Sequence, residues 1–463
     1  MDGYETTRQR HTAEMLGGLG EHLDRLAWSA ERLRAERTAR LRELTAIAKA
    51  RSPWHRARLA DVDPRTIDED GLGQLPVMTK DDLMRHFDAI VTDPRVTLER
   101  VDAHIEGLSR DAYFLDDLHA VASGGSSGVR GVFVWGWDAW ATVQRTALRV
   151  QLRDRMGDPM LASRLPVTMV VAADNATHFT SALSQTFATE AVQMHRFPIG
   201  LPLETIVEGL NRVAGDGLAT YPSMLATLTQ EAQAGRLRIE PRRILTMAEP
   251  LLEEIRQPAE ELWGAPIANM WGTSEGGITA LGCFQGTGMH LSDDLLIVEP
   301  VDALGEPVAP GVCSSKVYLT NLFNPLLPLI RYEITDEVTF VDGPCACGSA
   351  HRLIADIEGR RDDVFVYADA VAVHPHVFRS ILARAAAVTE YQVRQTATGA
   401  EILVCAREPV DRGSIAREVE DALRRLRCPH PTATVELVGE LPRLATGKLK
   451  RFVPLGGASD HRR

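Results

Sequence analysis

The residues with the clearest chemical potential form a loop of glycines and serines, Ser123-Gly124-Gly125-Ser126-Ser127-Gly128-Val129-Arg130-Gly131. Glycine lets the main chain come close to a ligand, and serine hydroxyls with backbone N–H groups make a concave donor surface suited to phosphate oxygens. The loop lacks the Gly-Lys-Ser/Thr ending of a Walker A motif. Because an isolated stretch of this composition is also typical of a flexible surface turn, its meaning depends on the rest of the chain.

Four further segments place charged or hydroxyl groups beside turns. A hydroxyl pair and a carboxylate follow an apolar run in Trp271–Gly276, and an acid able to accept from hydroxyls ends Leu329–Asp336. Gly359–Asp363 is typical of a hinge, and Leu441–Lys448 presents a lysine on a glycine turn. Turn chemistry and surface charge explain each segment when it is taken alone.

Cysteine and histidine offer a second kind of site. Cys345 and Cys347 are separated by one residue, and Cys283 and His290 lie about 55 residues or more upstream. Three thiolates and an imidazole would complete the tetrahedral Cys₃His ligation of a zinc ion, and four protein ligands leave no open position. Such a metal would be structural, with His351 as a spare ligand. Taken alone, however, a Cys-X-Cys pair is more often incidental.

Composition narrows the class of protein. Of 463 residues, 44% are hydrophobic and 25% charged, as in a globular protein with two or three domains. The net charge of −12 argues against a general nucleic-acid binder. No apolar run reaches transmembrane length, the first residues lack the apolar core of a secretion signal, and six cysteines are too few for a disulfide scaffold. We expect a cytoplasmic protein.

Alternating strands and helices must position these groups. Val167–Val171 and Ile244–Met247 are predicted to be buried strands, with helices over residues 202–214 and 223–234 between them. This alternation predicts an α/β fold with a largely parallel sheet. Lys316–Thr320 alternates more strictly between polar and apolar residues, which predicts a half-exposed strand.

Three regions follow from these patterns. A leucine-lined helical pattern over residues 12–50 makes residues 1–60 a helical appendage or, in a second interpretation, a dimerisation surface. Residues 61–361 are predicted to form a large core domain. The hydrophobic pattern changes after the predicted hinge, Gly359–Asp363. Residues 362–463 contain enough predicted strand and helix for a small α+β domain.

In this order and at these spacings, the motifs resemble those of the adenylate-forming superfamily of acyl-CoA synthetases, peptide-synthetase adenylation domains and luciferases. The likeness is greatest to the phenylacetate-CoA ligase branch, because it extends to Leu75–Lys80, Thr220–Ser223 and Ala248–Pro250. It covers residues 40 to 452 approximately. The resemblance implies a large α/β domain with a small mobile lid domain. It also implies adenylation of a carboxylic acid by ATP with release of pyrophosphate.

The resemblance carries a role to each matching residue. Glu275 would bind Mg²⁺, and Thr273 with Ser274 would lie near the α-phosphate of ATP. Asp336 would accept hydrogen bonds from the ribose hydroxyls, and Arg360 would contact the ribose or a phosphate. The remaining nucleotide contacts would be Ser123, Gly124, Gly125, Ser126, Ser127, Gly128 and Arg130 on the phosphates, Ala248 and Glu249 beside the adenine, and Trp271 and Gly272.

Two further residues would serve the reaction cycle. Lys448 would approach the α-phosphate and the attacking carboxylate oxygen, where the reaction needs charge neutralisation and in-line positioning rather than covalent help. Lys450 is a neighbouring alternative, but the Gly-Lys spacing favours Lys448. Asp362 would be the hinge about which the small domain rotates.

The family likeness also bears on substrate and metal. An acyl pocket would involve His178, Phe179, Tyr221 and Trp271, which together favour a flat aromatic or short acid, whereas each residue taken alone is equally typical of ordinary core. The phenylacetate-CoA ligase branch often carries the Cys…His…Cys-X-Cys pattern, which strengthens the zinc hypothesis. Two departures matter: Met247 replaces a usual glycine, and Ala370 aligns with the glycine that leaves room for coenzyme A in relatives.

Two enzymatic functions remain in play. The first is an ATP-dependent ligase joining an aryl or small acid to coenzyme A. The second is an adenylating enzyme that passes the acyl group to an amine, a carrier protein or another nucleophile, which the missing glycine favours. A non-catalytic nucleotide sensor is a third class, against which the retention of Glu275, Asp336 and Lys448 argues.

Overall fold

The structure is a computed structural model that describes most of the chain. The described residues are 3–123, 131–156, 167–188, 193–286, 288–355, 357, 359–360, 363–373, 375–382, 385, 387–406, 408–444 and 449–455. Several predicted site residues lie outside this set: Gly124, Gly125, Ser126, Ser127, Gly128, Arg130, Asp362 and Lys448.

Among the described residues, the elements up to Glu106 are helices, helices and strands alternate from His119 to Trp263, and strands follow from Ile267 to Arg360. The helices are α1 Gly3–Gly17, α2 Leu19–Asp24, α3 Ala30–Arg51, α4 Pro53–Arg58, α5 Lys80–Arg85, α6 Phe87–Ile90, α7 Leu98–Glu106, α8 Trp137–Met156, α9 Phe179–Thr186, α10 Leu203–Val213, α11 Pro222–Gln233, α12 Glu253–Trp263, α13 His376–Leu382 and α14 Arg412–Arg425. Short 3₁₀ turns cover Arg25–Ala27, Leu72–Gln74 and Ala368–Ala370.

The strands fall into one large sheet and several smaller ones. They are β1 His119–Ala122, β2 Val132–Trp135, β3 Val167–Ala172, β4 Gln193–Pro198, β5 Gly217–Thr220, β6 Arg243–Met247, β7 Ile267–Thr273, β8 Gly277–Gly282, β9 Met289–Leu291, β10 Leu296–Val301, β11 Lys316–Asn321, β12 Tyr332–Ile334, β13 Asp336–Glu337, β14 Phe340–Val341, β15 Leu353–Ile354, β16 Gly359–Arg360, β17 Phe365–Val366, β18 Ala372–Val373, β19 Val388–Gln395, β20 Gly399–Ala406, β21 Thr432–Leu437 and β22 Phe452–Val453.

The large sheet determines where the site lies. Within the described residues its order is β14-β15-β9-β8-β7-β6-β5-β3-β4, parallel from β7 to β4 and antiparallel from β7 to β14. Helices α10, α11 and α12 connect the parallel strands in turn. The predicted α/β architecture is therefore confirmed, with the parallel pairing confined to the part built from strand–helix–strand units. The carboxyl ends of β5, β6 and β7 meet at one edge.

The N-terminal region forms four helices rather than one. Ser29 and Ser52 break it, because each hydroxyl caps the following helix by accepting a backbone N–H, from Arg32 and His55 respectively. The helices pack on the rest of the protein: Leu41 and Leu44 of α3 join an apolar cluster with Ile297, Leu322 and Ile330. Burial of these side chains supplies the driving force for docking.

The prediction of a half-exposed strand at Lys316–Thr320 is wrong. Strand β11 lies between β10 and β12, and all of its residues are buried. Its polar face is covered because Lys316 donates to Glu333 on β12 at 2.6 Å and Thr320 accepts the backbone N–H of Arg331. The alternation thus marks two buried faces, one apolar and one with its polar groups satisfied.

A second, smaller apolar core lies in the C-terminal part. Phe365, Tyr391, Val393, Leu423 and Phe452 belong to a cluster separate from the main one. It lies on a four-stranded sheet, β21-β20-β19-β22, with α13 and α14. We refer to residues 363–455 as the small unit and to residues 3–354 as the large unit. Across the described part of the chain, no helix combines the length and the apolar character needed to cross a membrane.

A buried carboxylate ties the N-terminal helices to the sheet. Asp294 accepts from Arg149 at 2.7 and 2.8 Å, and Arg25 lies 3.4 Å away. Burial alone would raise the pKa of Asp294, but the charges of Arg149 and Arg25 and the hydrogen bonds from Arg149 hold it well below the usual carboxyl range. The folded state therefore binds a proton at Asp294 less readily than the unfolded chain does.

We expect Asp294→Asn to lower the free energy of unfolding by about 3–5 kcal/mol at neutral pH, because the buried Arg149 loses its counter-charge and Arg25 loses one carboxylate partner while keeping Glu21. The depressed pKa means that the stabilisation is present above the ordinary carboxyl pKa and is lost as the pH falls through the folded-state value. Denaturant unfolding at pH 7 and at pH 3 should show the difference from wild type narrowing in acid. The exposed Asp61 provides a control, Asp61→Asn. A small, pH-independent effect of Asp294→Asn would contradict this account.

Candidate functional site

The carboxyl ends of β6 and β7 carry the strained and tightly turned backbone of the site. Ala248, directly after β6, has φ of 68°. Non-glycine residues in this region are strained and cluster at functional sites. After β7, the Thr273 hydroxyl accepts the Gly276 N–H at 2.9 Å, and Gly277 follows with φ of 71°. The turn leaves the half-buried Ser274 and Glu275 at the sheet edge.

Trp271 and Asp336 are joined inside the protein. The indole Nε1–H donates to Asp336 Oδ2 at 2.7 Å, and both residues are almost fully buried. Asp336 in β13 also pairs through the backbone with Arg360 in β16. Three predicted nucleotide residues from three separate segments are thus brought together, whereas Gly272 contributes backbone within β7.

Glu249 connects several parts of the site. Its carboxylate accepts the N–H and the hydroxyl of Ser223, at the start of α11, at 2.9 and 3.1 Å. The same carboxylate accepts the backbone N–H of Leu449 at 2.9 Å. The residue that follows the predicted Lys448 therefore contacts the carboxyl edge of the sheet.

The base of the glycine–serine loop is closed by two hydrogen bonds. Ser123 N–H donates to the Gly131 carbonyl at 2.8 Å, and Gly131 N–H donates to Ser123 Oγ at 2.9 Å. The Lys80 side chain passes so close to Gly131 that a Cβ built there would lie 2.9 Å from its Cε. Sequence reasoning treated Lys80 only as part of the Leu75–Lys80 motif and missed its place beside the loop. The signal available in the sequence was Pro76, which predicts a break in the chain just before α5.

Tyr332 is a second residue that sequence reasoning missed. It is 1% exposed, and its hydroxyl finds no hydrogen-bond partner among the described residues. Burial and the nearby carboxylates of Glu275 and Glu333 raise the pKa of Tyr332. A buried phenol that stays protonated beside Glu275 is available to donate to an oxygen ligand.

A cavity of about 140 Å³ opens beneath this edge on the face covered by α8 and α9. Met247 and Met270 line it directly before the turns described above, together with Leu245, Ala219 and Ile278. At the β4 side it is bordered by an ion pair between Arg196 and Asp174, whose atoms are 2.6 Å apart. The cavity is mainly apolar where it meets the site.

The residues predicted to form an acyl pocket lie beside this cavity rather than on its lining. Tyr221 is fully buried, and its hydroxyl accepts the Ala173 N–H at 3.1 Å. Phe179 packs against Trp135 and Trp140. His178 Nδ1 lies 3.1 Å from the Thr180 hydroxyl. The prediction rested on the family resemblance, and an amino-acid sequence does not distinguish a buried side chain that fills a core from one that lines a cavity.

The four metal-ligand candidates converge at the antiparallel end of the large sheet. The ligand atoms of Cys283, His290, Cys345 and Cys347 all lie within 4.8 Å of one another. His290 turns Nε2 toward Cys347, while its Nδ1 lies 3.0 Å from the carbonyl of His351. The ring nitrogens of His351 face the carbonyls of Leu291 and Arg25, so that residue is engaged elsewhere.

Comparison with solved structures identifies the class of fold. The chain superposes on 2-hydroxyisobutyryl-CoA ligase in complex with 2-HIB-AMP in the postadenylation state with a TM-score of 0.72, at 19% identity over 93% of this chain and 91% of that one. The same ligase with 2-HIB-AMP and CoA in the thioesterification state gives 0.60, at 20% identity over the same shares. The fold is that of the adenylate-forming CoA ligases.

Sequence comparison gives a more specific relationship. The chain is 26% identical over 459 residues to the phenylacetate-coenzyme A ligase of Thermus thermophilus, a match that covers 92% of this chain and 97% of the relative. The chain is a homologue of that ligase, which confirms the family resemblance of the motifs. A scan against protein-family models finds no match.

Proposed function

We propose that the protein activates a small carboxylic acid with ATP, forming an acyl-AMP and pyrophosphate, and transfers the acyl group to coenzyme A. One observation carries the proposal: the strained Ala248, the Thr273 turn and the Trp271–Asp336 pair meet where an apolar cavity ends. The arrangement suits a nucleotide at the sheet edge and an acid beneath it. The phenylacetate-CoA ligase homologue supports the same two-step chemistry.

The nucleotide would lie across the carboxyl edge of the sheet. Asp336, held through one oxygen by Trp271, would accept the ribose hydroxyls, with Arg360 nearby. Ala248 and Glu249 would border the adenine. Ser123 and the loop that it begins would contact the phosphates, and Lys80 would add positive charge at the base of that loop.

Mg²⁺ would be held by Glu275 and phosphate oxygens. The residues present fit this ion, because Mg²⁺ takes oxygen ligands and usually binds proteins through one or two carboxylates. The buried Tyr332 hydroxyl beside Glu275 supports an oxygen-rich neighbourhood. The ion would neutralise phosphate charge during adenylation, while Thr273 and Ser274 orient the α-phosphate region.

The acyl group would occupy the cavity beneath Met247 and Met270. Its volume of about 140 Å³ is close to that of the engineered protein cavity of about 150 Å³ that binds benzene. A single six-membered ring therefore suits it better than a long acyl chain. His178, Phe179 and Tyr221 would shape the cavity from behind the lining.

Pyrophosphate exchange across a panel of acids tests the function directly. We expect exchange with single-ring aromatic or short acids and much less with long-chain fatty acids, because the cavity cannot house the longer chains. Adding coenzyme A to the responsive acids should give a thioester mass. Absence of exchange with every acid would refute adenylation. Pyrophosphate exchange without formation of a thioester would indicate that the acyl acceptor is an amine or a carrier protein and not coenzyme A.

One observation favours that alternative acceptor. Ala370 stands at the tip of the β17–β18 hairpin with φ of 57°, next to Asp369 with φ of 58°. Two successive side chains in the left-handed region are strained, and glycine would adopt the same backbone at no steric cost. The chain thus retains a glycine-like turn but adds a methyl group where relatives leave room for coenzyme A.

The lysine assignment is tested by substitution. We expect Lys448→Ala to lower the rate of pyrophosphate exchange at least about 100-fold, because a positive charge aimed at the reacting phosphate typically contributes that much. The affinity for ATP should change little. Lys450→Ala is the matched control and should retain most of the exchange. Loss of exchange in Lys450→Ala, with exchange retained in Lys448→Ala, would show that Lys450 is the catalytic lysine.

We further propose a structural zinc ion held by Cys283, His290, Cys345 and Cys347. The Sγ atoms of Cys283 and Cys345 are 3.7 Å apart, close to the ~3.8 Å edge of a tetrahedron with zinc–sulfur bonds of ~2.3 Å. The His290 Nδ1–H can donate to the His351 carbonyl, which leaves Nε2 as the ligand. Burial raises the pKa of the Cys283 thiol, a cost that a bound cation would offset.

Elemental analysis of purified protein should find about one zinc per chain. The double substitution Cys345→Ser and Cys347→Ser should abolish the metal and lower the melting temperature, because two loops lose their common anchor. The exposed Cys313 supplies the control, Cys313→Ser, which should retain full occupancy. Metal-free wild-type protein would show that the cluster is a set of free thiols.

The domain boundaries are also a proposal. The separate apolar core of the small unit supports a division after residue 361, with Asp362 as the hinge. Residues 1–60 would be a helical appendage packed on the core domain of residues 61–361, and residues 362–463 would form the lid.

A further inference from the structure

Arg443 and Leu449 lie on a segment of the small unit that also contacts the large unit. On the side of the small unit, Gln392 of β19 donates to the Lys450 carbonyl at 2.8 Å. Arg443 Nη2 donates to both carboxylate oxygens of Glu390, also in β19, at 3.0 and 3.2 Å. These contacts fix the segment to the sheet of the small unit on both sides of residues 445–448.

The same arginine reaches the large unit. Its Nη1 donates to the Ser223 hydroxyl at 2.9 Å. Ser223 in turn donates its hydroxyl and its backbone N–H to Glu249, which also accepts from Leu449. A continuous path of hydrogen bonds therefore runs from Glu390 through Arg443 and Ser223 to Glu249. We call these four residues the latch.

The latch joins charged groups that are largely removed from solvent. The side chains of Arg443 and Glu390 are 18% and 11% exposed. Burial raises the pKa of Glu390, and Arg443 and Arg451 act in the opposite direction. Charge-assisted hydrogen bonds in such surroundings are the strong ones, and loss of one partner leaves the other charge without compensation.

Next to the latch, the described residues of the two units are not closely packed against each other. A cavity of about 270 Å³ separates α11 and α12 from Leu382, Tyr391 and Arg451 of the small unit. Space of this size removes dispersion contacts that would otherwise hold the two surfaces together. The docked arrangement of the two units at this boundary therefore depends strongly on the polar contacts of the latch.

We propose that Arg443 is a positioning residue for the adenylation step: it holds the segment that carries the predicted Lys448 against the carboxyl edge of the large sheet. The inference rests on the proposed adenylation. The second half-reaction has no need of a lysine at the α-phosphate once the acyl-AMP exists, so Arg443 serves the first half-reaction selectively.

The test compares Arg443→Met with Arg443→Lys and with the control Arg424→Met. Arg424 lies on α14 of the same unit, is exposed and pairs with Asp421 three residues earlier. We expect Arg443→Met to lower the exchange rate about 10- to 100-fold, as loss of a buried charge-assisted contact implies, with little change in the KM for ATP. Conversion of prepared acyl-AMP with coenzyme A should stay at the wild-type rate. Arg443→Lys should recover part of the exchange, and Arg424→Met should match wild type.

Hydrogen exchange provides a readout that needs no substrate. In Arg443→Met, the amides of Ser223 and Leu449 should exchange faster, whereas those of α14 should keep their protection. If Arg443→Met slowed both half-reactions equally, or lost hydrogen-exchange protection throughout the small unit, Arg443 would have a structural role rather than a positioning role. Unchanged protection at Ser223 and Leu449 would overturn the latch. Wild-type protein without any pyrophosphate exchange would refute the proposed function, and the protection data would still decide on the latch.

Discussion

Parallel pairing of β5, β6 and β7 is the constraint on which the site depends. The three strands end at the same edge, so Ser223, Ala248 with Glu249, and Thr273 with Glu275 become neighbours although about 25 residues separate each from the next. The strands are held on both sides by the sheet and by α10 to α12. A scaffold of this rigidity can keep Ala248 in a strained backbone conformation that an isolated turn would relax.

Successive side chains along a strand lie on opposite faces of the sheet, and the two faces contact different parts of the site. In β7, Met270 points to the cavity and the next residue, Trp271, reaches Asp336 on the other side. In β6, Met247 lines the cavity and the chain then turns at Ala248 toward Glu249. Under the proposed function, neighbouring residues would therefore contact the acid and the nucleotide, because successive side chains of a strand lie on opposite faces.

The small unit meets this edge through polar contacts more than through close packing. It has an apolar core of its own, and the cavity of about 270 Å³ beside the latch leaves the boundary incompletely filled. A hydrogen-bonded interface of this kind can open and form again, because water solvates both partners of each contact when the two surfaces separate together. Under the proposed function, that property suits two half-reactions that need different partners at one active site.

Much of the fold and of the site could be predicted from the amino-acid sequence. Local periodicity located β3, β6, α10 and α11, because helices and strands impose their spacing on neighbouring residues. The ordered motifs predicted the similarity to the phenylacetate-CoA ligases, and the Cys₃His candidates proved to be adjacent in space. These signals are local, or they survive in the order of short segments, and so they can be recognised without coordinates.

Only the tertiary structure decided which buried residues line a cavity and which fill a core. Phe179 and Met270 are both buried, yet one packs among tryptophans and the other faces open space. The covered polar face of β11, the approach of Lys80 to Gly131 and the path from Glu390 to Glu249 likewise arise between segments far apart in sequence. The sequence by itself determined the elements and the identity of the chemical groups, since these follow from local periodicity and composition. The tertiary structure determined which of them meet, because that depends on how distant surfaces pack.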